Sequence, residues 1–310
     1  MIIENLKNKD GLKRFKFFFL KYQKENNNIN LLEIYDIVKK NIKNKSVIFL
    51  KLFHYQKQFS VAILKKANWE TLTLKKRCAK IEYVYFSNES VGKKTLNYII
   101  KFIKKNFFWV QFDSGLSKPF LENLFMKSGF LVSNRYLVWK TKIKDLDRNF
   151  IERQSSLTRN FKLAKKKDIK KLQFFTEKYP FPGRFALSQK CKKHGLKLYS
   201  SWIKNSILDK KQKTYFYESN NVIHAYQTIT VDKKDKKITL GPLRNSQKIP
   251  TIGLYMLINS LNYAINKKMK YVITRSSTFN SEINSINHRL GMRIINSGIN
   301  LDFFNKNFSK

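Results

Sequence analysis

The run Ile238–Leu243, ITLGPL, carries Gly241 and Pro242 in the middle of what otherwise reads as a short apolar strand. Proline has no N–H to give to a ladder and glycine weakens a strand interior, so the sheet must bulge or open at this point. The elements that follow have equally clear signatures. RNSQKIPTIG (244–253) is a loop turning into a helix whose apolar residues Leu254, Leu257, Ile258, Leu261 and Ile265 keep helical spacing. A second apolar strand begins at Tyr271, a polar turn runs from Ser277 to Asn280, and a helix closes in RLGM, with Gly291 as a helix stop. Strand, gap, turn, helix, strand, turn, helix is a restrictive order. The turn before the first helix presents free N–H groups at the positive end of the helix dipole, which suits an anion such as a phosphate.

KIPTIG before a helix, Asn280 after the next strand and INHRLGM at the close resemble the cofactor half of the GNAT superfamily of N-acyltransferases. The resemblance implies that the strand-loop-helix binds the pyrophosphate of coenzyme A and that the pantetheine arm lies between two splayed strands. It assigns Leu240, Gly241, Leu243, Lys248, Thr251, Ile252, Gly253 and Asn280 to the acyl donor, acetyl-CoA. The chain departs from the family loop in three ways. Lys248 stands for arginine or glutamine, Thr251 replaces a glycine, and Pro250 removes a backbone donor. Many members protonate the departing thiolate with a tyrosine in the last helix. Asn287 holds that position here, and an amide is not a general acid.

The rest of the chain extends the pattern. SVIFLKLF, FSVAILKK and CAKIEYVYF, ending at Phe86, read as strands, followed by a helix at 91–105, a strand at 107–112, a helix at 119–127 and a strand at 131–141. Strand, helix, SGF (Ser128–Phe130), strand parallels strand, helix, LGM (Leu290–Met292), strand, which indicates a diverged tandem duplication. The expected fold is α/β with mixed sheets: a helical segment over 1–45, a reduced GNAT-like domain over 46–145 and a catalytic one over 158–310. Residues 11–45 read as two helices about the polar run 25–30. In the first, Leu12, Phe15, Phe18, Phe19 and Tyr22 form an aromatic stripe that suits core packing or, less simply, a membrane surface. Thr214–Ser219 and Val222–Val231 form a hairpin about Asn220-Asn221, and Asp168 is placed to cap a helix.

Two further segments resemble TDP-fucosamine acetyltransferase-like proteins, which join a reduced N-terminal domain to a complete one. They are Asn68–Glu82 and, more specifically, Gly183–Ile207, where Arg184 and Phe185 precede a helix carrying Tyr199, Trp202, Asn205 and Ser206. This implies a nucleotide-linked amino sugar as acceptor, with Arg184, Phe185, Tyr199 and Trp202 lining its site, in surface polysaccharide synthesis. Tyr199 and Trp202 also have ordinary core spacing.

Acyl transfer to an amine needs a held thioester, a donor to its carbonyl oxygen and a neutral amine. Backbone N–H groups beside Gly241 and Leu243 suit the second requirement. For the base, His224, Tyr226, Glu282 and His288 are candidates, and the sequence does not rank them; Tyr255 is a further hydroxyl source. His288 also neighbours Asn287, so the catalytic set read from sequence is His288, Asn287 and Tyr226. Acylation of some other amine, or a degenerate binding module, are the alternatives. The 63 Lys and Arg against 21 Asp and Glu give +42, which suits phosphorylated ligands, but the basic residues are scattered along the chain and no specific nucleic-acid motif accompanies them. Only four histidines, widely spaced, and two cysteines argue against a metal site and a disulfide framework and fit the cytoplasm. No run of about 18 apolar residues is present to span a bilayer, which leaves peripheral contact open.

Overall fold

The computed structural model describes residues 2–5, 13, 15–16, 31–42, 44–55, 58–115, 119–155, 161–179, 192–246, 249 and 251–305. They divide into two compact units, one drawn from 1–114, 118–132 and 300–310, the other from 115–117 and 133–299.

The first unit contains β1 (Ile2–Asn5), α1 (Leu31–Ile42), β2 (Val47–Tyr55), β3 (Gln58–Lys66), α2 (Asn68–Leu74), β4 (Cys78–Phe86), α3 (Glu89–Asn106), β5 (Trp109–Asp113) and α4 (Pro119–Lys127). Its strands run β1-β2-β3-β4-β5 and are completed by Asn300–Phe304 on β5. All pairs are antiparallel except β4 with β5. α3 shows why the local sequence folds as it does: Asn88 caps it by accepting from the Val91 N–H at 3.0 Å, Glu89 and Lys104–Lys105 complement its dipole, and Val91, Leu96, Ile99 and Ile103 bury one stripe. The N-terminal segment is not a separate helical piece. β1 pairs with β2, and Phe15 packs into a core with Ile34, Val38, Val61 and Ile63. Of the expected first helix, Leu12, Phe18, Phe19 and Tyr22 lie outside the described residues, while the buried Phe15 fits the core reading of the stripe.

The second unit contains β6 (Leu131–Lys142) from Ser133 onward, α5 (Arg148–Ser155), β7 (Phe161–Leu163), α6 (Ile169–Lys178), α7 (Lys192–Leu208), β8 (Gln212–Ser219), β9 (Val222–Asp232), β10 (Lys237–Asn245), α8 (Ile252–Asn266), β11 (Tyr271–Ser277), α9 (Ser281–Arg289) and the first part of β12 (Arg293–Phe304). Strand order is β6-β11-β10-β9-β8-β7, antiparallel except for β10 with β11. Asn220 and Asn221, at φ 50° and 61°, make the tight turn of the β8–β9 hairpin, as their tolerance of left-handed backbone allows. Asp168 serves the short 3₁₀ turn Lys166–Asp168 ahead of α6, where its carboxylate accepts from the Lys165 N–H at 2.8 Å; it does not cap α6 itself. Leu240, Leu257, Ile258, Leu261, Val272 and Leu290 form the core between sheet and helices.

The unit boundaries differ from those expected at 145 and 158. Residues 136–142 of β6 pair with β11, so the first half's last strand belongs to the second unit, whereas Asn300–Phe304 pair with β5 and belong to the first. Both halves end in the same strand, helix, turn, strand signature, and that pattern does not specify which sheet receives the final strand.

Candidate functional site

The site is built on β10. From Lys237 to Leu240 this strand pairs with β9 on one side and β11 on the other. At Gly241–Pro242 its register with β9 shifts, and pairing with β11 ends at Leu240 and Thr274. Beyond that point Leu243, Arg244 and Asn245 continue on β9 only, while Arg275, Ser276 and Ser277 continue on β6 only. The two strands therefore part and leave a wedge-shaped gap with unpaired edges. Pro242 cannot donate there, and a Cβ on Gly241 would collide with the Thr228 hydroxyl and stand 3.1 Å from the Thr228 carbonyl oxygen.

At the open end of the gap the chain turns into α8. Thr251 precedes the helix at φ 63°, a left-handed conformation that a β-branched residue seldom takes, and its side chain makes no cap hydrogen bond. The first-turn N–H groups of α8 have no partner within the helix and point towards this end of the sheet. Ile252 is buried with Met256 and Ala225. Gly253 is buried too, and a Cβ there would lie 3.4 Å from both the Asn245 amide nitrogen and Leu243, so an added side chain is tightly placed but accommodated. Leu240 belongs to the core and Leu243 packs at its edge. Lys248 lies outside the described residues.

Asn280 is occupied as the N-cap of α9: its side-chain oxygen accepts from the Ile283 N–H at 3.1 Å. One turn on, Asn284 donates to the Ser277 carbonyl and lies 2.6 Å from the Ser276 hydroxyl, which also accepts from the Trp139 indole at 2.8 Å. Asn287, three residues later on the same face, is 1% exposed, and its side-chain nitrogen has no hydrogen-bond partner. Three residues of helix advance about 4.5 Å, so Asn287 lies one turn further along α9 than Asn284, which bonds to Ser276 and Ser277. A buried donor of this kind is open to an acceptor from water or a ligand.

The other candidates separate from this cluster. His288 is exposed and lines a hollow of about 890 Å³ with Tyr271, Lys142 and Asp145, towards the start of β11 and not its parting end. Glu282 is exposed in the first turn of α9. Tyr226 is 1% exposed, with its hydroxyl 3.1 Å from that of Thr176; burial pushes its pKa up, against the pull of Arg244. A phenol so placed packs in the core, and burial disfavours its phenolate form. His224 sits half-buried at a register shift of the β8–β9 hairpin with a buried, unpartnered Nδ1, and its carbonyl accepts from the Ser246 N–H at 2.7 Å. It lies at the open end of the gap. Tyr255 is half-buried beside Ile252 and Met256.

On the side of α6 and α7, Trp202 packs on Leu172, Phe175 and Ile203, the core role that its spacing allowed. Tyr199 is buried beneath Arg244, whose guanidinium is 5.7 Å from the ring centroid. Arg184 and Phe185 lie outside the described residues. Arg244 was not singled out by the sequence. It is 4% exposed and donates to the Thr176 carbonyl at 2.8 Å, and burial lowers its pKa. The bulge at Gly241–Pro242 changes which face each later residue of β10 takes, so alternation counted from Ile238 misplaces Arg244.

No family model matches the chain, and no curated protein matches its sequence. Solved structures match its fold. It is similar to a tandem GNAT protein from the clavulanic acid biosynthesis pathway, at 8% identity over 84% of each chain with TM-score 0.50. It is also similar to a GCN5-related N-acetyltransferase from Sphaerobacter thermophilus, at 9% identity over 89% of this chain and 86% of the other, TM-score 0.54. A third is the GCN5-related glucosamine N-acetyltransferase region of a fungal multi-domain GH3 β-N-acetylglucosaminidase, at 12% identity over 97% of this chain and 38% of that one, TM-score 0.56. The protein has a two-domain GNAT fold, and among the described residues no helix is long and apolar enough to cross a membrane.

Proposed function

We propose that this protein is an acyl-CoA-dependent N-acyltransferase whose second unit binds acetyl-CoA in the gap between β10 and β11. The observation that carries the reading is the parting of these strands at Leu240 and Thr274 beside the free N–H groups of α8. In it, the α8 turn at Thr251, Ile252 and Gly253, with Lys248, holds the pyrophosphate. The unpaired backbone edges of Leu243–Asn245 hold the pantetheine arm, and one of their N–H groups polarises the thioester carbonyl. Acetyl-CoA supplies an activated acyl group. The amine nitrogen attacks the carbonyl carbon, the carbon–sulfur bond breaks, the ammonium proton leaves through a base or water, and solvent protonates the thiolate. Asn287 donates a hydrogen bond to the sulfur without giving up its proton. His224, at the open end, is the favoured base.

For the acceptor we retain a nucleotide-linked amino sugar used in surface polysaccharide synthesis, on the resemblance of Gly183–Ile207, with Arg184, Phe185 and Tyr199 lining the sugar side. A cytoplasmic location is part of this reading, supported by the two cysteines and the choice of donor. A second reading, a non-catalytic GNAT binding module, draws on Thr251 and on Asn287 standing where an acid is expected.

The test is calorimetric titration with acetyl-CoA and then with candidate amines, using the parent protein and Gly253→Asp. An aspartate in the first turn suits the helix dipole, so the fold persists, but it repels a phosphate. Parent binding weakened at least tenfold in the variant supports the donor site. No binding by folded parent at millimolar ligand sinks it, and binding without turnover of any amine favours the module.

A further inference from the structure

The fold brings together two lysine-rich runs that lie apart in the chain. Two turns meet at the end of the second unit's sheet opposite the β10–β11 gap: the β9–β10 turn, with Lys233, Lys234 and Lys236, and the α8–β11 turn, with Lys267, Lys268 and Lys270. All six side chains are exposed, and none has an ion-pair partner among the described residues. The acids of the first turn, Asp232 and Asp235, are both taken by Lys237, at 3.5 and 3.3 Å. The turns are joined by backbone, for the Lys236 carbonyl accepts from the Lys270 N–H at 2.6 Å and the Tyr271 N–H at 3.3 Å. Lys236 and Lys268 adopt positive φ, 48° and 50°, as tight turns require. Between the turns lies a hollow of about 520 Å³ lined by Lys140, Lys234, Lys236, Lys237 and Lys270, with Asp235 as its acid and Tyr271 and Ile273 as its apolar surface. Lys140 stands over the Tyr271 ring at 4.5 Å.

So many like charges held together on joined turns repel one another, and a ligand carrying several negative charges relieves that repulsion. We infer that this lysine-lined hollow docks the phosphate backbone of single-stranded nucleic acid, without base selection, independently of the acyl-donor site. Lysine is a point charge and lacks arginine's bidentate fork, which suits phosphate contacts and not base edges. A hollow admits a flexible strand better than a bilayer, and its lining offers no exposed large apolar side chain for insertion into lipid.

The probe is a labelled oligouridylate of about 20 nucleotides, a length beyond the sites of about 4–16 that single-strand grooves cover, followed by anisotropy against salt. With four phosphates engaged, log affinity falls with log salt at a slope of about −3. Lys234→Glu/Lys236→Glu/Lys270→Glu is expected to bind at least tenfold more weakly with a flatter slope. Lys170→Glu/Lys197→Glu/Lys204→Glu, an equal charge change on α6 and α7, is expected to alter affinity less than threefold. Equal loss in both variants overturns the site and leaves only diffuse charge. Capture of the parent by phosphatidylserine vesicles through the same lysines, without oligonucleotide binding, overturns the nucleic acid. Acetylation footprinting of the unmutated protein checks the placement without a variant: the oligonucleotide should protect Lys234, Lys236 and Lys270, and unchanged labelling there would refute it.

Discussion

Thr251 is the residue at which the turn proposed to hold phosphate can be examined through stability alone. A residue with a Cβ in left-handed backbone costs about 1–2 kcal/mol, and Thr251 sits at φ 63° with no cap hydrogen bond from its side chain. Thr251→Gly removes that strain but gives the unfolded chain extra freedom, a loss of about 0.5–1 kcal/mol. The net expectation lies between no change and a gain of about 1.5 kcal/mol, which for a unit of this size raises the melting temperature by at most about 3–6 °C. Thr251→Ala keeps the Cβ and the strain while removing the hydroxyl and branch, so it serves as the reference. Thermal unfolding of the three proteins, with urea titration to obtain free energies, makes the comparison. Acetyl-CoA affinity of the glycine variant should stay within about threefold of the parent, since the backbone N–H of residue 251 persists. A glycine variant less stable than the alanine variant by the full cost of unfolded-chain freedom, about 0.5–1 kcal/mol, would show that the turn stores no strain.

Gly241→Ala drives a Cβ into the Thr228 hydroxyl, so the bulge must shift. It is expected to destabilise by about 1–3 kcal/mol and to abolish donor binding, read by urea unfolding and calorimetry. Glu218 accepts from Lys162 at 2.9 Å and Lys171 at 3.1 Å, and these two amines hold its carboxyl below the usual range. A depressed folded-state pKa means the contribution is present above the unfolded value, about 4.3, and is lost as pH falls through the folded one. Glu218→Gln should therefore lower the unfolding free energy at pH 7, by no more than about 1 kcal/mol for a pair of exposed lysines, and match the parent in strong acid. A difference that persists at low pH would mean that packing, not charge, is involved.

The strand, gap, turn and helix of 238–266 were legible in the chain because their causes are local: Pro242 cannot pair, asparagines tolerate the turn at 220–221, and apolar spacing marks α8. The repeated ending of the two halves was legible for the same reason. What the sequence could not carry was anything set by partners distant along the chain. β6 and the end of β12 each complete the sheet of the other half, and register with β11 and β5 decides that. The bulge turns Arg244 inward and Tyr226 lies in the core, so neither role follows from residue type. His288 and Asn287 are neighbours in sequence, yet a helix turns about 100° per residue, and one faces a basic hollow while the other is buried. Composition established that the chain is strongly basic; only the meeting of two turns at one end of a sheet concentrated that charge, because strand ends far apart in the chain come together when the ladder forms.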